Sequence, residues 1–437
     1  MTGARLIFMI AALVIMSALA AVVLRRPGTG EGPPDAPRLG AGKLAVLEVQ
    51  RRGATTRLER AGEGYRVTAP VRYPAADAAA RAAFHALEEL EPIAIVTDRP
   101  ARFASLEVDD GKGVRLRAGG LDLVIGKIVA DGTMVRLRGR SGRDEVWRVE
   151  GDLRAIFDKS PSDWRDRTVT AFAPADAREI GIATSDGAQV VVRRGDGQGP
   201  WTVARSSLPI AALDQQVAND VVATLSSLNA SEFADGATAN DSGLDAPSAT
   251  VTVALAGGGK QVLLLGRGAG KDDRFVKTAD GQQVFLIKQF NADRAAPRPI
   301  QFRTKMLCDI SDRDVVEIAV DDGRDSYRVV KAGDGTWKAR RPAGLAVASS
   351  RVAPFAAVFR GWRAPEVAEA PPPGALARPW ATISARSEDA RCTVTVGSAA
   401  SGRDGYFVKT AGSPDIYFVP KWMIERITVP LDKLRDD

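Results

Sequence analysis

The residues able to do chemistry are few, and their spacing suits little of it. His85 is the only histidine in 437 residues, so a Ser-His-Asp triad has one candidate base and a multi-histidine metal site has none. It lies beside Phe84, one step off an apolar helical stripe, and reads as a partly exposed structural residue. Two cysteines, Cys308 and Cys392, exclude a four-cysteine zinc site and a disulfide-knotted scaffold. They read as two buried thiols, with a bridge between them left open. The acid pairs Asp109-Asp110, Asp272-Asp273 and Asp321-Asp322 have the residue types for glycosidase or calcium chemistry. They fall in predicted turns, where aspartate side chains close Asx turns. The Gly-rich stretch Gly266 to Lys271 imitates a phosphate loop, but Leu265 stands six before the lysine and Asp272 replaces the Ser or Thr that would hold magnesium. The expectation is a protein that is not an enzyme, with no catalytic, cofactor-binding or metal-binding residue.

The elements that would position such residues repeat along the chain. An aromatic after a Gly-rich turn recurs at Tyr65, Trp201 and Trp337, at equal intervals. Beyond each comes an apolar stripe at helical spacing: Ala76, Ala80, Phe84, Leu87 and Leu90, then Val217, Val221, Leu225 and Leu228, then Val352, Phe355, Phe359 and Trp362. Asp77 and Asp214 open the first two helices, and Pro354 is expected to delay the start of the third. Alternating strands then end at Gly126, Gly266 and Gly397, with a turn expected at each. Later strands carry Val146-Trp147, Val284-Phe285 and Ile416-Tyr417, and each copy closes at Trp164-Arg165, Phe302-Arg303 or Leu434-Arg435. Trp147, Trp201, Trp337 and Trp380 read as core residues rather than a sugar platform, while Trp164 and Trp362 fit either role. The pattern predicts an α+β fold: three tandem antiparallel-sheet units with one main helix each, over residues 44–172, 177–308 and 314–437, packed as separate beads.

Ahead of them, Leu6 to Leu24 is an uncharged apolar run of about 28 Å as a helix, enough to span a bilayer. Residues 1–24 therefore read as an uncleaved single transmembrane helix, with Ala18-Leu19-Ala20 as the competing cleavage site. Residues 25–43 form a Pro/Gly-rich linker. The flanking charges nearly tie, and the long folded remainder argues for an extracytoplasmic, periplasmic bulk on the cytoplasmic membrane. Net charge is +6, from 60 basic against 54 acidic residues, without a basic run carrying interleaved aromatics, so no nucleic-acid partner is expected.

These residues resemble the bacterial family DUF4340. The resemblance rests on Tyr65 to Pro70, Pro74-Ala75 with Asp77, Leu123 to Gly126, Trp164-Arg165-Asp166, the lead-in Gly243-Leu244-Asp245-Ala246-Pro247, and the closing Leu434-Arg435-Asp436. It implies a membrane-anchored envelope protein often encoded beside ATP-binding-cassette transporter components of the gliding-motility type, and it carries over no catalytic residue. The expected function is a non-enzymatic accessory or scaffold subunit of an ABC-type transport system, contacting a permease or other envelope protein. The alternative is a cell-wall or glycan binder whose tandem units act by avidity.

Overall fold

A computed structural model describes residues 44–436, apart from 140–141, 196–198 and 311–314. The span Leu6 to Leu24 and the linker 25–43 lie outside the described residues. Among the described residues no helix is long and apolar enough to cross a membrane.

The α+β expectation of three separate beads is corrected. Among the described residues antiparallel sheet dominates, in five sheets, and the longest helices have 12 residues. The chain divides into two compact units, one ending at Arg167 and the other Thr168–Asp437. The second unit holds two large sheets, which long-range arginine-aspartate pairs tie together.

The first unit carries a nine-stranded sheet. Its strands are β1 (Val46–Arg51), β2 (Ala54–Ala61), β3 (Gly64–Ala69), β4 (Tyr73–Pro74), β5 (Pro92–Thr97), β6 (Val114–Ala118), β7 (Leu121–Val129), β8 (Gly132–Leu137) and β9 (Glu145–Val149). They are ordered β4-β3-β2-β1-β6-β7-β8-β9-β5. Tight turns set the meander: Ala118 pairs with Leu121 across Gly119-Gly120, both at positive φ, as a two-residue hairpin requires. Helix α1 (Asp77–Glu88) connects the edge strand β4 to β5 at the other edge, burying Ala80, Ala83, Phe84 and Leu87 in one core with Leu47, Leu58, Val67 and Leu116. Behind the sheet a smaller cluster gathers Phe103, Leu106, Val108, Met134 and Val146. A short helix, α2 (Leu153–Phe157), follows β9 and buries Phe157 in the main core.

The second unit begins with β10 (Thr168–Ala171), then β11 (Ala177–Thr184), β12 (Gln189–Arg193), β13 (Thr202–Ser206), helix α3 (Gln215–Ser226), β14 (Ser227–Asn229) and β15 (Glu232–Phe233). After the one-turn helix α4 (Ala239–Ser242) come β16 (Ala249–Leu255), β17 (Lys260–Ala269), β18 (Asp273–Thr278) and β19 (Phe285–Lys288), then α5 (Gln289–Ala295). The sheet order is β13-β12-β11-β16-β17-β18-β19-β15, with β10 and β14 in a separate ribbon.

Its other half runs β20 (Met306–Cys308), β21 (Glu317–Asp321), β22 (Ser326–Lys331), β23 (Trp337–Arg341), helix α6 (Ser349–Ala357), β24 (Trp362–Arg363), β25 (Glu366–Val367), β26 (Ala381–Arg386), β27 (Arg391–Ala399), β28 (Gly405–Thr410), β29 (Tyr417–Pro420) and helix α7 (Lys421–Glu425). These strands repeat the same order, β23-β22-β21-β26-β27-β28-β29-β25, and β20 pairs with β24. Helix α6 starts at Ser349 and continues through Pro354, so the proline does not delay its start. Leu228 and Trp362, expected at helix ends, belong to strands β14 and β24.

The glycines expected to end strands do something else. β7, β17 and β27 continue past Gly126, Gly266 and Gly397, and each pairing shifts register there, between Ile125 and Ile128, Leu265 and Gly268, and Val396 and Ala399. A Cβ on these glycines would lie 2.4 Å from the Leu106 carbonyl oxygen, 2.1 Å from that of Ser242 and 2.1 Å from that of Ala375. They are bulges that admit a crossing backbone, a role only glycine fills at such approach.

Candidate functional site

The residues singled out for chemistry do not converge. His85 is exposed on α1, its Nε2 3.3 Å from Glu89 one turn on. Asp109 Oδ1 accepts the Gly111 and Lys112 amides at 2.9 and 3.1 Å, and Asp322 Oδ1 accepts those of Arg324 and Asp325 at 2.9 and 2.7 Å; both are Asx turns. Asp110 does more than close a turn, receiving Arg136 and Arg138 at 2.7 Å each. Arg136 is buried with its guanidinium 5.0 Å from the Phe103 ring centre. Asp273 faces Lys288 at 3.1 Å, and Gly266 to Lys271 spans the bulge and hairpin turn between β17 and β18, where Ala269 pairs with Asp273. Among the described residues, no group of three or more His, Cys, Asp or Glu could hold a metal ion.

The tryptophans at repeated positions are core residues. Trp147, Trp201 and Trp337 are buried, as are Trp164 and Trp362, and the Trp201 indole donates to Asn219 at 3.0 Å. Trp380 packs on Tyr406 at 5.2 Å between ring centres. Two aromatics break the pattern: Phe290, on the first turn of α5, is 60% exposed, and Trp422, at the matching place on α7, is 59% exposed.

Cys308 and Cys392 form a disulfide, Cα atoms 5.5 Å apart, which corrects the reading of two buried thiols. It ties β20 to β27. A pocket of about 350 Å³ opens beside it, reaching from Ala212 to Asp415.

A groove of about 880 Å³ runs along the β25 edge in the second unit. Its floor is apolar: Val367 of β25, Phe418 of β29 in register with Glu366, and Ile300 of the turn Pro299–Phe302. Its walls carry Arg298, Lys305 and Glu369. Arg403, in the turn between β27 and β28, bridges the two characters, pairing with Glu366 while its guanidinium sits 3.5 Å from the Phe418 ring centre. Gly405 makes this stacking possible, since a Cβ there would lie 2.6 Å from the Phe418 ring. Gln301 accepts the Arg298 amide at 2.7 Å, fixing the opposite wall.

Of the groove's carboxylates, Glu366 is engaged by Arg403. The groove presents an apolar floor, charged walls and the β25 sheet edge. Sequence reasoning passed over it. The signal available was Pro365 and the Pro371-Pro372-Pro373 run framing the short segment Glu366 to Ala370, which marks an edge strand that cannot continue.

No curated protein and no solved structure matches the chain. A family profile described as "Domain of unknown function (DUF4340)" matches residues 66–247 and again residues 236–379. The two matches together cover well over half of the sequence and carry both the glycine bulges at Gly126 and Gly266 and the Trp201 and Trp337 cores, and on that ground the chain belongs to the DUF4340 family.

Proposed function

We propose that the chain is a non-enzymatic envelope protein, held at the cytoplasmic membrane by its apolar run Leu6 to Leu24, with its sheets in the periplasm. There it acts as an accessory or scaffold subunit of an ABC-type transport system. The observation that carries this reading is the β25 groove, whose mixed lining and open strand edge suit an extended segment of a protein partner better than a reacting small molecule. The Cys308–Cys392 disulfide supports the compartment, since such bridges persist where thiols are not kept reduced. The transporter link follows from family resemblance. Affinity purification of the full-length chain in mild detergent tests it: permease and ATPase subunits are expected to co-purify, and to be lost with Arg403→Glu. Absence of a reproducible membrane partner would overturn the proposal.

Phe290 and Trp422 favour a second reading, in which exposed aromatics on matching helices stack on sugar rings of a cell-wall glycan. Co-sedimentation with purified cell wall that Trp422→Ala abolishes would support it. Absence of sedimentation removes it.

A further inference from the structure

Strand β5 closes one side of the nine-stranded sheet, and its outer edge has no strand partner among the described residues. Sheet edges in natural proteins are ordinarily short, charged or covered, because their unpaired amides and carbonyls template further pairing. The matching edges of the other large sheets follow that rule, β15 being Glu232–Phe233 and β25 Glu366–Val367, two residues each and each with a glutamate. β5 does not: it has six residues, Pro-Ile-Ala-Ile-Val-Thr, uncharged and largely β-branched. Val96 packs inward on the cluster around Phe103 and Met134. Ile95 points away and is 53% exposed.

We infer that β5 is an interface between two copies of this chain, which join antiparallel about Ile95 and continue one sheet across a two-fold axis. The flanking charges set this register. With Ile95 opposite its counterpart, Ile93 meets Thr97, Ala94 meets Val96, and Glu91 of each copy falls opposite Arg99 of the other, so symmetry forms that pairing twice. A two-fold centred on Ala94 or Val96 instead would set Glu91 against Thr97 or Ala101 and lose both charge pairs. Ile93 and Val96 are extra residues in bulges against β9, giving β5 a local twist. A second copy presents the same twist by symmetry, whereas an arbitrary strand need not.

Sedimentation of the full chain in mild detergent, at concentrations up to about 100 µM, tests this inference. A reversible dimer is expected, absent in Ile95→Lys. Glu91→Arg or Arg99→Glu alone should each weaken it about tenfold, and the double reversal should restore it. Circular dichroism confirms that these surface variants fold. Ile95→Cys should cross-link between copies through a short bis-maleimide, and Ile128→Cys, exposed on β7 away from the edge, should not. A monomer throughout, self-association that survives Ile95→Lys, or a double reversal that fails to restore pairing overturns the inference.

Discussion

Arg303 donates through Nη1 to Asp415 Oδ1 over 2.7 Å, joining residues 112 apart in the sequence. The same guanidinium gives Nε to the Pro209 carbonyl at 2.9 Å. Arg303 lies in the closing Phe302-Arg303 of one sheet and Asp415 in the loop before β29 of the next, so the pair spans the two large sheets of the second unit. Arg363 of β24 makes a second tie, donating to Asp214 Oδ2 over 2.5 Å while Asp214 Oδ1 caps α3 through the Gln216 amide.

Breaking the first tie should be costly because both groups are largely withdrawn from water, with side chains 18% and 8% exposed. Arg303→Ala is expected to lower stability by about 2–4 kcal/mol, leaving Asp415 without its counter-charge. Arg303→Met with Asp415→Leu should recover most of that loss, since apolar replacement of a whole pair removes the desolvation cost too. Urea unfolding of the four forms of the double-mutant cycle measures the coupling, and a coupling near zero would show that the pair does not hold the sheets.

Gly266→Ala should destabilise by at least about 1–3 kcal/mol, because the added methyl meets the Ser242 backbone oxygen rather than a side chain that can rotate aside. Gly236→Ala, with nothing within 4 Å of the added carbon, should stay within about 0.5 kcal/mol of the parent. Thermal melts of the two variants decide it. Equal effects would mean that β17 accommodates the methyl by opening its bulge.

The helices were legible in the sequence and the bulges were not, for one physical reason. Phe84, Leu87, Leu225 and Phe355 are buried by a periodicity written in neighbouring residues. Gly126 and Gly397 are glycines because the carbonyls of Leu106 and Ala375 approach them from other segments, and no local pattern encodes that approach. The two-residue strands β15 and β25 are too short to alternate, so the groove built on β25 left only its prolines as a trace. The closing motif lies between these cases. Trp164, Phe302 and Leu434 recur visibly, but their function emerges only in the fold, where their carbonyls accept the amides of Ala76, Asp214 and Ala348 at 2.9, 2.7 and 2.9 Å and pin the start of each main helix.

Reducing the Cys308–Cys392 disulfide, which closes a loop with sequence separation 84, should lower the stability of the second unit by about 2–4 kcal/mol, chiefly through the greater freedom of the unfolded chain. Cys308→Ala with Cys392→Ala should reproduce the effect and be insensitive to reductant. Urea titrations with and without a thiol reagent test this, and a parent protein unmoved by complete reduction, verified by mass, would count against it.

Acid should weaken the first unit partly through Asp122. Arg115 grips both its carboxylate oxygens, at 2.9 and 2.6 Å, and this hydrogen-bonded guanidinium holds the carboxyl below its ordinary value of 3.8. A folded-state value below the unfolded one means that the unfolded chain binds more protons between the two. The contribution is therefore fully present above about pH 4 and is lost as the pH falls through the lowered folded value. Both side chains keep some solvent contact, 25% for Arg115 and 30% for Asp122, which limits the effect to roughly 0.5–1 kcal/mol. Asp122→Asn should be less stable than the parent by that amount near pH 7, and the gap should close as the pH falls through the lowered folded value. Parallel urea titrations across this range read it directly, and a gap that does not change with pH would mean that Asp122 acts through packing in the β6–β7 hairpin instead of through its charge.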